Sequence, residues 1–407
     1  MILRPGAPAS RPRARRARAP AAVALALATL TASISAPGLA EDGGAVERRR
    51  SDAHMDVETD PPLDLGAAYT LDVWHNQGGV ASGWRTLDNL DLTAAVDLER
   101  VAGWHGARAF AYVLYNGDHS LSELTGDAQV ASNIETGVRA LRLYEAWIEQ
   151  DLAPGTSIKA GLYDLNSEFD ALPTSDLFLG SAHGIGTDVS QSGRNGPSIF
   201  PVTSLAVRIE AKVSGRLTVR AAALDGVSGD PDHPARTAIK LGHGDGALLI
   251  AEADWTRGPL RVIAGGWGYT REQPDDAGTG VAPSTGAYVR AETTLAKHQA
   301  YTLSAFARAG VASGRANPFD TFVSGGLRLD LSESWQFGAA VAHARTSSAY
   351  RRAIPAPRAE TVVELTAARA LTPWLSVQPD VQYVIDPLNA PDGNDALVTG
   401  VRMTVTL

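Results

Sequence analysis

The segment from residue 164 to residue 202 carries the residue types best suited to binding a ligand rich in hydroxyl groups. Carboxylates, amides and guanidinium groups all form hydrogen bonds with hydroxyls. Acids and bases that oppose each other across a narrow passage also select the solutes that pass. The segment is a long predicted loop, which favours a functional role over an ordinary solvated loop. The candidate residues are Asp164, Asn166, Glu168, Asp170, Arg194 and Asn195.

Three aromatic residues of the same loop, Phe169, Phe178 and Phe200, could stack on sugar rings through their flat apolar faces. The acids could alternatively form the carboxylate pair of a glycoside hydrolase, which requires a defined separation of the two groups. The sequence does not position such a pair, and it contains no GxSxG motif, HExxH motif or P-loop. It therefore predicts no catalytic residue, no metal site and no cofactor.

The elements that must position this loop are stretches of about ten residues with apolar side chains at every second position. In residues 203–213, for example, Val207 and Ile209 alternate with Arg208 and Glu210. About sixteen such stretches follow one another, which is a common number for a porin-type barrel. The predicted strands are 67–75, 88–98, 105–115, 141–150, 156–164, 203–213, 216–224, 247–255, 260–268, 286–295, 300–308, 321–331, 335–344, 360–368, 374–385 and 397–407.

Short turns such as 154–155 and 258–259 alternate with long loops such as 116–140, 165–202 and 225–246. This pattern predicts an all-β fold, a transmembrane antiparallel β-barrel with long extracellular loops and short periplasmic turns. A charge on the lipid face would cost about 2–4 kcal/mol near the midplane, so the charged set is predicted to face the lumen. These residues are Arg208, Glu210, Lys212, Arg220, Glu252, Asp254, Arg290, Glu292, Arg328, Asp330, Glu364, Gln378, Asp380, Gln382 and Arg402.

A soluble β-sandwich is the main structural alternative, because its strands also alternate between polar and apolar residues. The number of strands and the alternation of loop lengths favour the membrane barrel. Aromatic residues near the predicted strand ends also suit the girdles at the two membrane interfaces. These residues are Tyr69, Trp255, Trp267, Tyr269, Tyr301, Trp335 and Trp374.

The N-terminal segment has the features of an export signal. Six arginines precede an apolar run at 21–30, and Gly38 and Ala40 provide the small residues of a cleavage site. We therefore predict a signal peptide at 1–40, a polar leader at 41–66 and the barrel at 67–407.

Charge and cysteine content exclude some partners. The whole chain has 36 basic and 45 acidic residues, and loss of the six N-terminal arginines leaves 30 basic residues and a net charge of −15. Such an acidic protein is a poor partner for nucleic acid. The chain has no cysteine, so hydrogen bonding rather than disulfides must hold an exported fold together.

Several short segments, in the same order and with similar spacing, resemble the carbohydrate-selective porin family of the OprB type. The resemblance extends from residue 69 to the last residue. The matching segments are LERVAGW at 98–104, ASNIE at 131–135, LYEAWIE at 143–149, AGLYDLNSEF at 160–169 and WLSVQPDVQY at 374–383, with shorter matches at 201–208 and 364–365.

This resemblance implies an outer-membrane barrel of a Gram-negative bacterium, with a lumen narrowed by inward loops that passes glucose and related sugars by diffusion. It also implies that Asn166 and Glu168 begin the narrowing loop. Outer-membrane lipid and sugar are then the expected partners, and the sequence leaves open whether the barrel forms a homo-oligomer. The alternatives are a general or ion-selective porin of the same architecture and an exported soluble carbohydrate-binding protein.

Overall fold

The computed structural model describes residues 61–407, except 243, 279, 332–334 and 391–392. In this part of the chain, sixteen antiparallel strands form one closed barrel. Strand β1 (Leu63–Gly78) pairs with β18 (Ala396–Thr406) and completes the circle. Closure leaves no sheet edge with unpaired backbone groups, which is the condition for a sheet to cross lipid.

Each predicted strand corresponds to one barrel strand, and the remaining two strands form a small hairpin within a loop. The hairpin strands are β10 and β11. The strands between β1 and β18 are β2 (Gly83–Asp97), β3 (Ala107–Asn116), β4 (Ala140–Ala153), β5 (Thr156–Tyr163), β6 (Ser204–Ser214), β7 (Leu217–Asp225), β8 (Ala247–Arg257), β9 (Leu260–Tyr269), β10 (Gln273–Pro274), β11 (Val281–Ala282), β12 (Thr285–His298), β13 (Tyr301–Ala312), β14 (Phe319–Leu331), β15 (Trp335–Thr346), β16 (Ala359–Thr372) and β17 (Leu375–Ile385).

Several boundary predictions were wrong, most clearly in the first hairpin. Strand β1 begins at Leu63 rather than at 67, so the end of the predicted leader 41–66 is part of the barrel wall. The first connection on the loop side, residues 79–82, is short, although a longer one was predicted. The predicted signal peptide and the leader up to residue 60 lie outside the described residues.

The helical segments of the described chain lie in the connections between strands. None of these helices combines the length and the apolar character needed to cross a membrane. The α-helices are Leu98–Ala102, Ser122–Thr125, Ser181–Gly184, Thr187–Ser190 and Ser348–Ala353, and the 3₁₀ turns are Leu165–Ser167 and Pro173–Ser175.

The alternation of side chains assigns the two faces of the wall as predicted. Val207 and Ile209 of β6 are 49% and 47% exposed on the outer face, whereas Arg208 between them is 3% exposed. In β18, Val401 and Met403 are exposed and Arg402 is buried. The outer wall is therefore apolar and the charges point inward.

The interior is less uniformly polar than the sequence predicted. A buried apolar cluster inside the barrel joins inward side chains of β3, β4 and β9 to residues of the loop 164–203. Trp267 and Tyr269, predicted for the membrane girdle, belong to this cluster, so their girdle assignment was wrong. They follow the inward parity of β9, which strand-end position alone did not reveal.

The assignment of faces predicts the effect of a charge on the outer wall. Leu327 of β14 is 46% exposed, in mid-strand opposite Ala305 and Ala339. Leu327→Arg is expected to destabilise the inserted barrel by about 2–4 kcal/mol, because the guanidinium would face lipid. The free energy of unfolding in lipid vesicles measures this effect.

Leu327→Met is the matched control, since it keeps an apolar side chain of similar volume. The neighbouring Arg328 already places a guanidinium on the inner face at the same height. Equal stability of the arginine and methionine variants would contradict the assignment of this face to lipid.

Candidate functional site

The connection between β5 and β6, residues 164–203, contacts inward-facing side chains of the wall, and we call it the long inward loop. Its first turn is capped by Asp164, whose carboxylate accepts a hydrogen bond from Asn166 N (2.9 Å). The Asn166 amide donates to the carbonyl oxygens of Phe169 (3.1 Å) and Gly184 (3.4 Å). Because Gly184 belongs to the returning limb, Asn166 joins the two limbs. Asp164 and Asn166 therefore shape the loop.

Glu168 fastens the base of the loop to the wall. Arg208 donates to its carboxylate from Nε (2.7 Å) and from a terminal nitrogen (2.8 Å), and Lys159 forms a second ion pair with it. Arg208 also reaches Glu149 at 2.8 Å, and the Tyr163 hydroxyl donates to Glu168 at 2.7 Å. Burial alone would raise the pKa of Glu168, but Lys159 and Arg208 hold it well below its usual range. The carboxylate is therefore an anchor rather than a free acid.

Asp170 is the centre of a fully buried ion cluster in the middle of the loop. Arg308 of β13 contacts its carboxylate at 2.8–3.0 Å, and Arg290 of β12 approaches it at 3.3 Å. Arg308 also binds Asp188 of the returning limb at 2.7 Å, and burial raises the pKa of Asp188. The Asp170 N–H donates to Glu252 of β8 at 2.9 Å. One cluster thus ties both limbs to three wall strands.

Beyond Asp170 the loop continues along the wall on a line of polar contacts. The N–H and the hydroxyl of Thr174 donate to Glu292 at 3.0 and 2.6 Å. Arg328 of β14 donates to the carbonyl oxygen of Pro173 at 3.0 Å. Glu292 and Arg328 therefore hold the outgoing limb along this part of the wall.

The loop reaches the far wall at β16 and β17. Gln378 donates to the carbonyl oxygen of Leu177 at 2.6 Å. The backbone N–H groups of Leu179 and Gly180 donate to Glu364 at 2.6 and 3.1 Å. Because its anchors start at β5 and β6 and end at β16 and β17, the long inward loop spans the lumen.

A second loop, residues 117–139, also enters the barrel, and we call it the short inward loop. The backbone N–H groups of residues 128 and 129 donate to Glu360 of β16. Gln382 donates to the carbonyl oxygen of residue 131 at 2.7 Å. Asp72 accepts hydrogen bonds from the hydroxyl of residue 132 (2.7 Å) and from Arg402 (2.7 Å). The sequence predicted a long loop here but not its inward course.

The remaining predicted lumen residues form ion pairs and hydrogen bonds along the inner wall. Arg220 pairs with Glu210 at 3.1 Å, and Asp254 pairs with Arg261 at 2.7 Å. Asp330 accepts from Arg328 at 2.9 Å, and Asp380 from Gln382 at 3.1 Å. Acids and bases thus lie side by side on the wall.

Lys212 is the exception among the predicted lumen residues. It is exposed near the end of β6 and packs its stem beside Gly155 in the adjacent turn. It therefore lies at the periplasmic rim rather than in the narrow part of the lumen.

Arg194 and Asn195 contact the outer loop 226–246 rather than the inner wall, so their assignment to the constriction was wrong. Arg194 is half exposed and approaches Asp245 at 3.6 Å. Asn195 donates to the carbonyl oxygen of Ser228 at 2.6 Å. Both contacts join the long inward loop to the loop 226–246. Their position near the end of a long loop did not show which part of that loop leaves the lumen.

The phenylalanines proposed to stack on sugars are mostly unavailable. Phe169 is fully buried, and Phe178 is 2% exposed and packs on Phe306 with a ring separation of 5.7 Å. Phe200 is only partly buried and contacts Tyr144. Two of the three therefore seat the long inward loop in the apolar cluster.

The sequence prediction missed several anchors of the inward loops. Lys159, Asp188, Arg308 and Glu360 each hold a loop in place, yet none was in the predicted set. Lys159 and Arg308 share the inward parity of their strands and could have been found from it. Asp188 lies in a loop, where no periodicity signals its partner.

The described residues also contain no group of three or more histidine or acidic side chains placed to hold a metal ion.

The model for the family of carbohydrate-selective porins called OprB matches residues 81–407 of the chain. The chain belongs to this OprB family. It is accordingly an outer-membrane protein of Gram-negative type, and its fold and family are those of a channel for carbohydrates rather than those of an enzyme.

Solved structures with the same fold include OprB of Pseudomonas putida at high pH, which is 21% identical over 90% of this chain and 96% of that chain, with a TM-score of 0.74. The anion-selective porin from Comamonas acidovorans is 11% identical over 85% of this chain and 99% of that chain, with a TM-score of 0.55. A search of curated proteins finds no match. At these identities the structures support the fold, and the family match adds the carbohydrate-selective class.

The short inward loop of this OprB-family porin contains a carboxyl group that should titrate near neutral pH. Glu135 accepts hydrogen bonds from the Ser120 hydroxyl and from Ser122 N (3.1 Å). Burial, and then the nearby Asp127, raises the pKa of Glu135 to about 7. The folded loop therefore favours the protonated form. The resulting stabilisation is complete below the usual pKa of 4.5 and is lost as pH rises through about 7.

We therefore expect the short inward loop to loosen as pH rises through about 7. Single-channel conductance recorded across this pH range should change, and Glu135→Gln should remove the change. Glu123→Gln is the matched control, because Glu123 lies exposed in the same loop. A pH response that persists in the Glu135 variant would contradict this assignment.

Proposed function

We propose that neutral sugars such as glucose diffuse through the part of the lumen that the two inward loops leave open. The observation that carries the proposal is the long inward loop itself, which is anchored from β5 and β6 across to β16 and β17. Such a loop narrows a wide barrel and brings solutes into contact with the wall.

The chemistry of the wall supports an uncharged, hydroxylated solute. Acids and bases alternate in direct pairs such as Arg220 with Glu210 and Asp254 with Arg261. Paired charges largely cancel each other's field at a distance, but each group keeps hydrogen-bonding capacity towards hydroxyls. Contacts of this kind are weak enough to let a sugar leave again.

Planar-bilayer recording of the purified protein with a panel of sugars tests the proposal. We expect glucose and related sugars to reduce the ion current in a dose-dependent way. Current that is unaffected by every sugar, together with a strong preference for one sign of ion, would instead favour an ion-selective porin of the same architecture.

Two further parts of the proposal concern export and the membrane. Residues 1–40 act as a cleaved signal peptide, and the exposed apolar outer wall contacts outer-membrane lipid. N-terminal sequencing of the mature protein and heat-modifiable migration on a detergent gel test these parts. The same detergent-solubilised sample reports whether the barrels associate into a homo-oligomer.

A further inference from the structure

The two inward loops meet at one place on the far wall, which we call the loop junction (residues 130–133 and 179–181). Asn133 N donates to the carbonyl oxygen of Leu179 at 2.8 Å, and Ser181 N donates to that of Val130 at 2.9 Å. These two backbone hydrogen bonds join the loops into one continuous structure. A displacement of either loop at the junction must therefore move the other.

Glu364 binds the junction between these two hydrogen bonds. Its carboxyl oxygens accept from Leu179 N (2.6 Å) and Gly180 N (3.1 Å), and its side chain is fully buried. A Cβ atom added at Gly180 would lie 2.7 Å from Glu364 Oε2. The absence of a side chain at this position therefore permits the close approach of the carboxyl group to the loop backbone.

The surroundings of Glu364 differ from those of the anchors at the base of the loop. Glu168 and Asp170 are held by arginine and lysine side chains, whereas the titratable neighbours of Glu364 are Asp380 and His183. His183 Nε2 lies 3.5 Å from Glu364 Oε2, and burial, with a contribution from Arg290, lowers the pKa of His183 to about 3. The ring is therefore neutral, and Glu364 holds the 179–181 side of the junction through two backbone N–H donors, while Gln382 and Asp72 hold the 130–133 side.

The geometry points to Glu364 as the positioning residue that sets the width of the passage, by fixing the long inward loop to β16 at the point where it joins the short inward loop. The ion pairs at Glu168 and Asp170 keep the base of the long inward loop attached to the wall, and Gln382 and Asp72 keep the short inward loop in place. Loss of the Glu364 contacts would therefore release the 179–181 side of the junction. This inference deepens the proposed sugar passage and rests on it for its consequence in transport.

Glu364→Ala and Glu364→Gln test the inference in the full-length protein. Alanine removes both acceptors and should shift the ratio of released to held junction by about 30-fold, given the usual strength of two intramolecular hydrogen bonds. Glutamine is nearly isosteric with glutamate and keeps one acceptor, so the effect of Glu364→Gln should be smaller. This variant still tests the inference if Glu364→Ala fails to fold. We expect the single-channel salt conductance to be highest in Glu364→Ala, intermediate in Glu364→Gln and lowest in wild type. The sugar block should be weakest in Glu364→Ala and strongest in wild type.

Asp320→Asn is the matched control, because Asp320 is a carboxylate near the start of β14 that pairs with the exposed Arg345 and has no contact with either inward loop in the described structure. It should leave the sugar-block constant near the wild-type value.

The outcomes separate the inference from the proposed function. Unchanged conductance and sugar block in both Glu364 variants, with wild type blocked by sugar, would overturn the role of Glu364 and leave sugar passage intact. Raised salt conductance in the variants, with no sugar block in wild type, would support the positioning role and overturn sugar passage.

Discussion

Replacing Arg308 with methionine is expected to detach the middle of the long inward loop and to produce the largest loss of stability among single inner-wall variants. Arg308 is fully buried and contacts both Asp170 and Asp188, so its removal leaves two buried carboxylates without their main counter-charge. Arg290 remains near Asp170 at 3.3 Å but does not form an ion pair with Asp188. Breaking a buried ion pair from one side costs about 3–5 kcal/mol.

The free energy of unfolding and the single-channel conductance together measure this effect. Arg345→Met is the matched control, because Arg345 forms one ion pair at 2.7 Å with Asp320 but is 57% exposed. An exposed pair is usually worth about 0–1 kcal/mol. Arg308→Lys should give an intermediate result, since lysine keeps the charge but lacks the planar fork that binds two carboxylates. Equal stability of Arg308→Met and Arg345→Met would refute the anchoring role of the buried cluster.

Replacing Arg208 with alanine is expected to loosen the base of the same loop. Arg208 joins Glu168 to Glu149 and Ser157, and all of these contacts lie at or below 2.8 Å. Lys159 still contacts Glu168 and lies 3.9 Å from Glu149. We therefore expect the free energy of unfolding to fall by about 2–3 kcal/mol, which is less than for Arg308→Met. Sugar block should weaken and the conductance should become noisier.

Acid sensitivity provides a second readout for Arg208→Ala. In wild type the pKa of Glu168 is held below its usual value, so its ionised carboxylate stabilises the loop base at neutral pH. This stabilisation is lost only when pH falls through the lowered pKa. Without Arg208 the pKa of Glu168 should rise, and the loop base should loosen at a higher pH than in wild type. Arg194→Ala is the control, because Arg194 is half exposed and contacts Asp245 of an outer loop rather than Glu168. An identical acid response of the two variants would argue against Glu168 as the anchor.

Strand positions and wall faces could be predicted because they depend on local alternation. Side chains in a strand point alternately to opposite faces, so Val207 and Arg208 could be assigned to lipid and lumen without knowledge of any partner strand. The alternation of turns and loops then implied a closed barrel, and the described strands confirm it. Errors arose where local signals compete, as for Trp267, which lies near a strand end but follows the inward parity of β9.

The roles of the candidate residues were harder to predict because they depend on contacts between distant parts of the chain. Glu168 and Asp170 were recognised as loop acids, but the sequence does not show that Arg208 and Arg308 neutralise them. Arg194 has the same residue type and lies in the same loop, yet it contacts the outer loops. Residue type and loop length therefore indicated a region of the loop rather than the function of each side chain.

The sequence by itself determined a membrane barrel with an apolar outer wall and charged inner wall, because a period of two residues sorts side chains onto two faces before any strand finds its partner. Only the tertiary structure decided that both inward loops enter the lumen and join beside Glu364, which lies 184 and 185 positions from its two donors in the chain. Contacts over such separations follow from barrel closure, which places β16 opposite β5 and β6. No local pattern encodes that arrangement.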